Sequence, residues 1–300
     1  MNPMILQIAE RLKKHFLLET ASADITIFLC GGAGKKELAF RRLVGTSICK
    51  IRSKYRYSVY YPEDMFVELV LGHQKQDLLT LENLLASSVS AVAILLQSAG
   101  TFTELGAFSN HELLKNKLVV IVDPKYRKAQ SFINTGPLRH LKNETSSHVL
   151  FVKMTEDNLD EVARVLVEAA RAIGATHPPR RNLTNPILCY EFYLSLLYVL
   201  DPIPRCALSL IAQSLELSDP RSAETAVETV INGLINNGDA LLISRNLTIS
   251  KKGIEKLIVG AGSIRKLETL MEMFSSLRII ALNGMLRRRY KHFWGEAALT

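Results

Sequence analysis

The chain contains no uninterrupted apolar run of about 18 residues, so no segment reads as a membrane-spanning helix. Cysteine is scarce. Cys30, Cys49, Cys189 and Cys206 show neither CxxC nor metal-ligand spacing, which argues against a disulfide framework and reads as free thiols in a reducing cytoplasm. Several catalytic signatures are missing as well: no HExxH supports a metal, no GxSxG elbow supports a serine nucleophile, and the seven histidines do not cluster. The GxxxxGK[ST] spacing of a P-loop and the GxGxxG turn of dinucleotide-binding sheets are also absent. No resident cofactor or metal is therefore expected. Residues 1–20 mix apolar positions with Arg11, Lys13 and Lys14 but lack the apolar core and small-residue cleavage site of a signal peptide; they are expected to form an amphipathic helix. There is no internal repeat and no low-complexity segment.

What is present suffices for two domains: 300 residues, 48% of them hydrophobic. The net charge of +8 points to a polyanionic partner. The excess is not confined to one module, since residues 1–177 carry 22 Lys and Arg against 18 Asp and Glu, and residues 178–300 carry 15 against 11. A local concentration stands near the end, where Arg287, Arg288 and Arg289 precede Tyr290, Lys291, His292, Phe293 and Trp294. Interleaved basic and aromatic residues of this kind grip a nucleic-acid backbone and stack bases, or pack on a neighbouring subunit.

From Asp24 onward the pattern alternates strand and helix. Residues 25–30, 57–61, 89–96, 118–122 and 149–152 read as strands, and residues 35–51, 78–87, 104–115 and 159–173 read as helices. Such alternation predicts an α/β domain with a mostly parallel, Rossmann-like sheet covered by helices on both faces. Residues 174–186, with Pro178, Pro179 and Pro186, break the pattern and mark a boundary. Beyond it come predicted helices at 189–200, 204–217 and 222–236. A two-stranded hairpin follows at 240–244 and 247–249, and a last helical stretch starts at Ile254. Three helices and a hairpin are the order of a winged helix-turn-helix. The expected domains are thus 1–175, a smaller winged-helix domain at 187–280, and a basic aromatic tail at 281–300.

The segment 98–110, Ser-Ala-Gly-Thr-Phe-Thr-Glu-Leu-Gly-Ala-Phe-Ser-Asn, is the most informative. It follows a buried strand and opens a helix, the position at which open α/β sheets bind ligands. Gly100 permits close approach of a ligand to the backbone, Thr101 and Thr103 offer hydroxyls and N-cap chemistry, and Glu104 is expected on the first helical turn. A carboxylate there suits attack on a sugar carbon better than it suits a phosphate cradle. Glu82, beside Asn83 on the preceding helix, reads either as a second carboxylate of the site or as part of a solvated face. Glu63 and Asp64, after Tyr61 and Pro62, end a strand at the same sheet edge or simply form a turn. Gly31 and Gly32, with Gly34 and Lys35, have the look of a phosphate nest. His111 is the histidine nearest the motif. In the second domain Arg221, Arg245, Lys251 and Lys252 are candidate phosphate contacts, joined by Arg287, Arg288 and Arg289.

Residues 25–153 resemble the nucleoside 2-deoxyribosyltransferase-like fold. The matching blocks are 27–32, 61–64, 81–83, 100–110 and 131–137 with its Gly136-Pro137, which follow in order through the first domain. More narrowly, the chain resembles effector proteins of bacterial retrons in which such a domain precedes a winged helix. The resemblance implies an active-site acid at Glu104, assisted by Glu82, acting at C1′ of a ribose or deoxyribose. It implies a substrate site formed by Gly31, Gly32, Glu63, Asp64, Ser98, Gly100, Thr101 and Asn110. Deoxyribosyltransferases carry an Asp six residues before that Glu, where this chain has Ser98; the departure favours hydrolysis over base transfer. For retron effectors the resemblance further implies NAD+ or a related nucleotide as substrate, and a toxic activity that arrests a phage-infected cell. Implied partners are a reverse transcriptase and its branched RNA–DNA product (msDNA), in an oligomeric or multi-subunit complex. Other readings of the same residues are a nucleotide-sensing winged-helix regulator, a scaffold for reverse transcriptase and nucleic acid, and a deoxyribosyltransferase or phosphoribohydrolase of free nucleosides or nucleotides.

Overall fold

The computed structural model of the chain describes residues 2–15, 24–62, 88–179, 183, 185–215, 220–260 and 264–294. It divides into two compact units, Ala23–Arg180 and Met1–Ser22 with Arg181–Thr300. Helix α1 (Pro3–Lys14) is capped by the Asn2 side chain, which accepts from the Met4 amide at 3.1 Å, and Pro3 sits where its missing N–H costs nothing. Its apolar stripe, Ile5, Ile8, Ala9 and Leu12, is buried in the core of the second unit. The helix is amphipathic as expected, but its partner differs. Sequence order suggested the 1–175 domain; the structure places α1 against the helices that follow residue 180.

In the unit Ala23–Arg180, β1 (Asp24–Cys30), α2 (Lys35–Lys50), β2 (Arg56–Tyr60), β3 (Ala91–Leu95), α3 (Ala99–Asn110), β4 (Leu118–Val122), α4 (Phe132–Thr135), α5 (Pro137–Glu144), β5 (His148–Phe151) and α6 (Leu159–Thr176) follow one another. The five strands form an all-parallel sheet in the order β2-β1-β3-β4-β5. β3 and β4 are buried along their whole length, which is why they read as unbroken apolar runs rather than as alternations. Ile25, Ile27, Leu29, Ala91, Ala93, Leu95, Val119 and Ile121 face a core shared with Phe40, Val44 and Ile48 of α2 and Val162, Leu166, Val167 and Ile173 of α6. Because side chains alternate across a sheet, Phe28, Cys30, Val92, Ile94 and Val120 point to the other face. There α3 buries Leu105 and Phe108, and α5 buries Leu138 and Leu141.

The α/β class, the parallel sheet and its helices on both faces agree with the expectation. Two local readings differ. The helix expected at 104–115 begins at Ala99 and ends at Asn110, since a capping arrangement at Ser98 nucleates it directly after the strand. The segment 131–144, which carried no helical expectation, forms α4 and α5. Pro137 opens α5, and Leu138 and Leu141 are spaced to share its buried side.

The second unit continues with α7 (Pro186–Leu200), β6 (Ile203–Pro204), α8 (Arg205–Ser214), α9 (Pro220–Asn236), β7 (Ala240–Ile243), β8 (Asn246–Ile249), α10 (Lys251–Gly260) and α11 (Ile264–Trp294). β6, β8 and β7 make a three-stranded antiparallel sheet in that order. β6 was not expected: residues 202–204 read as a helix entrance, and Pro204 is tolerated because β6 is an edge strand. The buried carboxylate of Asp239 receives the Tyr190 hydroxyl of α7 and Lys256 Nζ of α10 at 2.8 Å, tying both helices to the start of β7. The stretch expected as a basic aromatic tail at 281–300 is, in its described part, helical. Residues up to Trp294 belong to α11; Phe274, Leu277, Ala281, Phe293 and Trp294 are buried in the core, and a methyl group at Gly284 would lie 2.5 Å from Met4 Sδ of α1. Phe293 and Trp294 pack edge to face at 5.2 Å and present no ring for base stacking.

Lys117, just before β4, is buried with its ammonium on the Val89 carbonyl at 3.0 Å, and desolvation pulls its pKa down to about 8. An unfolded lysine holds its proton to about 10.4. The unfolded chain therefore binds the proton more tightly, and this group contributes stability that rises between about pH 8 and 10.4. In urea denaturation, the stability of wild type relative to Lys117→Met is expected to climb from pH 8 to pH 10; a flat difference contradicts a buried, titrating Lys117.

Candidate active site

In a sheet ordered 2-1-3-4-5, the chain leaves β1 and β3 in opposite directions, and the crevice at their C-terminal ends is the switch point where ligands bind. β1 and β3 pair with Cys30 opposite Ile94, so the turns that follow, 31–34 and 96–98, lie side by side. A methyl group at Gly32 would sit 3.6 Å from Ser98 Cβ, a measure of how closely the two turns approach.

The second turn is organised by hydrogen bonds. Ser98 caps α3: its Oγ accepts from the Thr101 amide at 3.5 Å, while Thr101 Oγ1 accepts from the Ser98 amide at 3.0 Å and from the Gln97 amide at 3.1 Å. Thr101 Oγ1 also donates to the Ser98 carbonyl at 2.7 Å. The Thr101 hydroxyl, expected to hold substrate, is thus buried and engaged in making the turn. Gly100 is exposed, and a methyl group there would meet nothing nearer than Ser98 Oγ at 3.9 Å, so the backbone at this position is open to a ligand.

Glu104 lies on the second turn of α3 rather than the first, because the helix starts at Ala99. Its carboxyl is half-buried, hydrogen-bonded with the Cys30 thiol, and under the influence of the Arg41 guanidinium. Burial raises its pKa above the ordinary 4.5, and the Arg41 charge and the Cys30 contact oppose that rise. Among the described residues, Glu104 Oε2 is buried without a hydrogen-bond partner.

Arg41 was not singled out in the sequence. It is 4% exposed, reaches from α2 to the Gly31 carbonyl through Nη1 at 3.4 Å, and fills the space over Gly31, where a methyl group would fall 2.9 Å from Arg41 Cδ. Tyr61, at the end of β2, lies beneath both arginines of α2, with the Arg42 guanidinium 3.9 Å and the Arg41 guanidinium 5.8 Å from its ring centre. Spacing was the available signal: 41, 44 and 48 fall on one helical stripe, so the cation sits on the buried face.

The phosphate reading of Gly31 and Gly32 meets an obstacle. Glu37, in the first turn of α2, folds back over Gly32 and Gly34; a methyl group at Gly34 would lie 2.2 Å from its Oε2. A carboxylate already occupies the positive end of α2, so a phosphate there would face like charge. Asn110 is exposed at the far end of α3, about 9 Å along the axis from Glu104, and is not brought into the site. His111 is structural: its Nδ1 accepts from the Leu113 and Leu114 amides at 3.2 and 3.3 Å. Glu63, Asp64, Glu82 and Asn83 lie outside the described residues.

In the second unit Arg245 is exposed in the β7–β8 turn, with Ser244 and Arg245 both at positive φ. Lys251 and Lys252 start α10, the latter donating to the Asn237 carbonyl at 2.5 Å. The length of β8, about 13 Å, separates Arg245 from these lysines. Arg287 is exposed on α11, whereas the side chains of Arg221, Arg288 and Arg289 lie outside what is described. Among the described residues no three His, Cys, Asp or Glu side chains gather as a metal site, and no helix is long and apolar enough to cross a membrane.

The STM3845 retron effector protein family matches residues 39–238, which include Arg41, Gly100 and Glu104 and, in the second unit, α7 to α9 but not the β7–β8 hairpin. The chain belongs to this family. It is 30% identical over 294 residues to an Escherichia coli retron Ec86 protein named as a candidate ribosyltransferase/DNA-binding protein, covering 94% of this chain and 92% of the relative. A second Escherichia coli protein, of retron Ec73 and named in the same way, is 32% identical over 137 residues, 43% of this chain and 42% of the relative.

Removal of the Thr101 hydroxyl isolates its structural part. Thr101→Val leaves the Gln97 and Ser98 amides without their acceptor and is expected to cost about 1–3 kcal/mol in chemical denaturation. Unchanged stability contradicts the role assigned to this hydroxyl.

Proposed function

We propose that this retron effector is an N-glycosidase that cleaves the bond between C1′ and the base of NAD+ or a related nucleotide, with Glu104 as nucleophile or stabiliser of the oxocarbenium ion. The observation that carries the reading is the Glu104 carboxyl itself, half-buried at the sheet switch point with one oxygen unsatisfied among the described residues. The ribosyltransferase names of the two relatives concern chemistry at the same sugar carbon.

In this scheme a Glu104 oxygen approaches C1′ as the glycosidic C–N bond breaks, and the bonding pair leaves with the base. Nicotinamide takes that pair on a ring nitrogen that was cationic and departs neutral, so its departure needs no proton. Water then attacks C1′, gives up a proton, and returns Glu104 as the free carboxylate. Gly100 gives the ribose access to the backbone at the start of α3, and Glu82, Glu63 and Asp64 orient the sugar. Ser98, an N-cap in place of the deoxyribosyltransferase Asp, favours water over a second base as acceptor.

Glu104→Gln is expected to lower kcat/KM for NAD+ hydrolysis at least about a thousandfold while leaving the melting temperature within a few degrees. Since the ionised acid acts and its pKa is raised, wild-type activity should fall with decreasing pH through a midpoint above 4.5. Retained turnover in the Gln variant sinks the assignment.

The second unit is proposed to be a winged helix, its β7–β8 hairpin the wing, through which the reverse transcriptase and msDNA of the retron restrain the enzyme. Arg245 and Lys251 are its candidate phosphate contacts. If they act so, Arg245→Ala and Lys251→Ala each weaken DNA binding and reduce the slope of log K against log salt by about 1. Slopes equal to that of wild type assign the hairpin to protein contacts instead, a role its exposed Leu241, Leu242 and Ile243 also suit.

A further inference from the structure

Arg41 and Glu104 come from helices on opposite faces of the sheet, yet both act at the end of β1. α2 packs on the face of Ile25, Ile27 and Leu29, whereas Glu104 reaches Cys30, whose side chain points the other way. For Arg41 to act there it must pass over the strand end, and the chain makes room for that passage. Only the missing side chain of Gly31 allows Arg41 Cδ within 2.9 Å of a Cβ position, and the Gly31 carbonyl anchors Nη1. A guanidinium stays charged under all relevant conditions, so a buried one fixes a positive potential.

We propose that Arg41 is the positioning residue of this site: laid across the end of β1, its guanidinium favours the anionic form of the Glu104 carboxyl and orients that carboxyl toward the switch-point crevice. What the carboxylate then does rests on the glycosidase reading; how it is held does not. Among the described residues, the charged or titratable groups acting on Glu104 are Arg41 from α2 and Cys30 from β1. Burial alone favours the protonated acid, a poor nucleophile. Arg41 opposes this without a proton of its own to lose, which Lys at the same place would do less reliably.

The test reads Glu104 directly in the full chain labelled with 13C-glutamate, its carboxyl resonance identified by its loss in Glu104→Gln. Arg41→Gln, which keeps a donor for the Gly31 carbonyl, should move the titration midpoint up by at least about one pH unit. Arg41→Lys should move it by less than half as much. A midpoint in Arg41→Gln equal to that of wild type overturns the proposal. Should that variant not fold, wild type suffices: the Arg41 Nε–H resonance is expected to shift with the Glu104 midpoint and to lose that inflection in Glu104→Gln, and a flat profile in wild type overturns the proposal equally. Both readouts need no turnover. If titration behaves as expected and no nucleotide is cleaved, the glycosidase reading fails and the Arg41 assignment stands.

Discussion

Because β1 and β3 are neighbours whose following helices take opposite faces, the backbone diverges at their C-terminal ends, the place where open α/β sheets form a ligand crevice. Everything assigned to the site depends on this divergence. It sets the turn 31–34 against the turn at Ser98, opens the start of α3 at Gly100, and lets groups from α2 and α3 meet although a sheet lies between their helices. The sheet can hold this geometry because its central strands are rigid. β3 and β4 are buried throughout, so the ends of β1 and β3 cannot shift without disturbing the packing of both faces.

The chemistry at the crevice is a contest between desolvation and charge. Half-burial of Glu104 favours its neutral form, and Arg41 with the Cys30 thiol favours the anion. Burial outweighs them in the free protein, so the acid sits above its ordinary pKa. A carboxyl in that balance responds strongly to what enters the crevice. A sugar developing positive charge at its anomeric carbon would add a second cationic influence and favour the anion at the moment it is needed. The same crevice is less suited to phosphate, since Glu37 already neutralises the positive end of α2.

Legibility varied with how local the cause was. Strands β3 and β4 stood out because burial on both faces leaves continuous apolar runs. Glu104 stood out because a strand-to-helix corner with small residues is a local pattern. The start of α3 was misplaced because the cap was sought at Thr101 and Thr103, whereas Ser98 is the N-cap and the Thr101 hydroxyl reaches back to it. Arg41 escaped notice since a charge on an amphipathic helix is ordinarily solvated, and only a glycine ten residues earlier makes its burial feasible. The terminal basic aromatic stretch looked like a tail because its charges mask the apolar stripe that carries Phe293 and Trp294 into the core.

The sequence by itself determined the α/β class and the parallel character of the sheet, and it marked the strand-to-helix corner that carries Glu104, because each follows from periodicity or turn chemistry within a few residues. Only the tertiary structure decided that α1 packs with the second unit, that Thr101 is spent on its own turn, and that Arg41 and Cys30 surround the acid. Those facts join residues far apart in the chain or on opposite faces of the sheet. Contacts of that kind are set by packing, which leaves no period in the sequence to read.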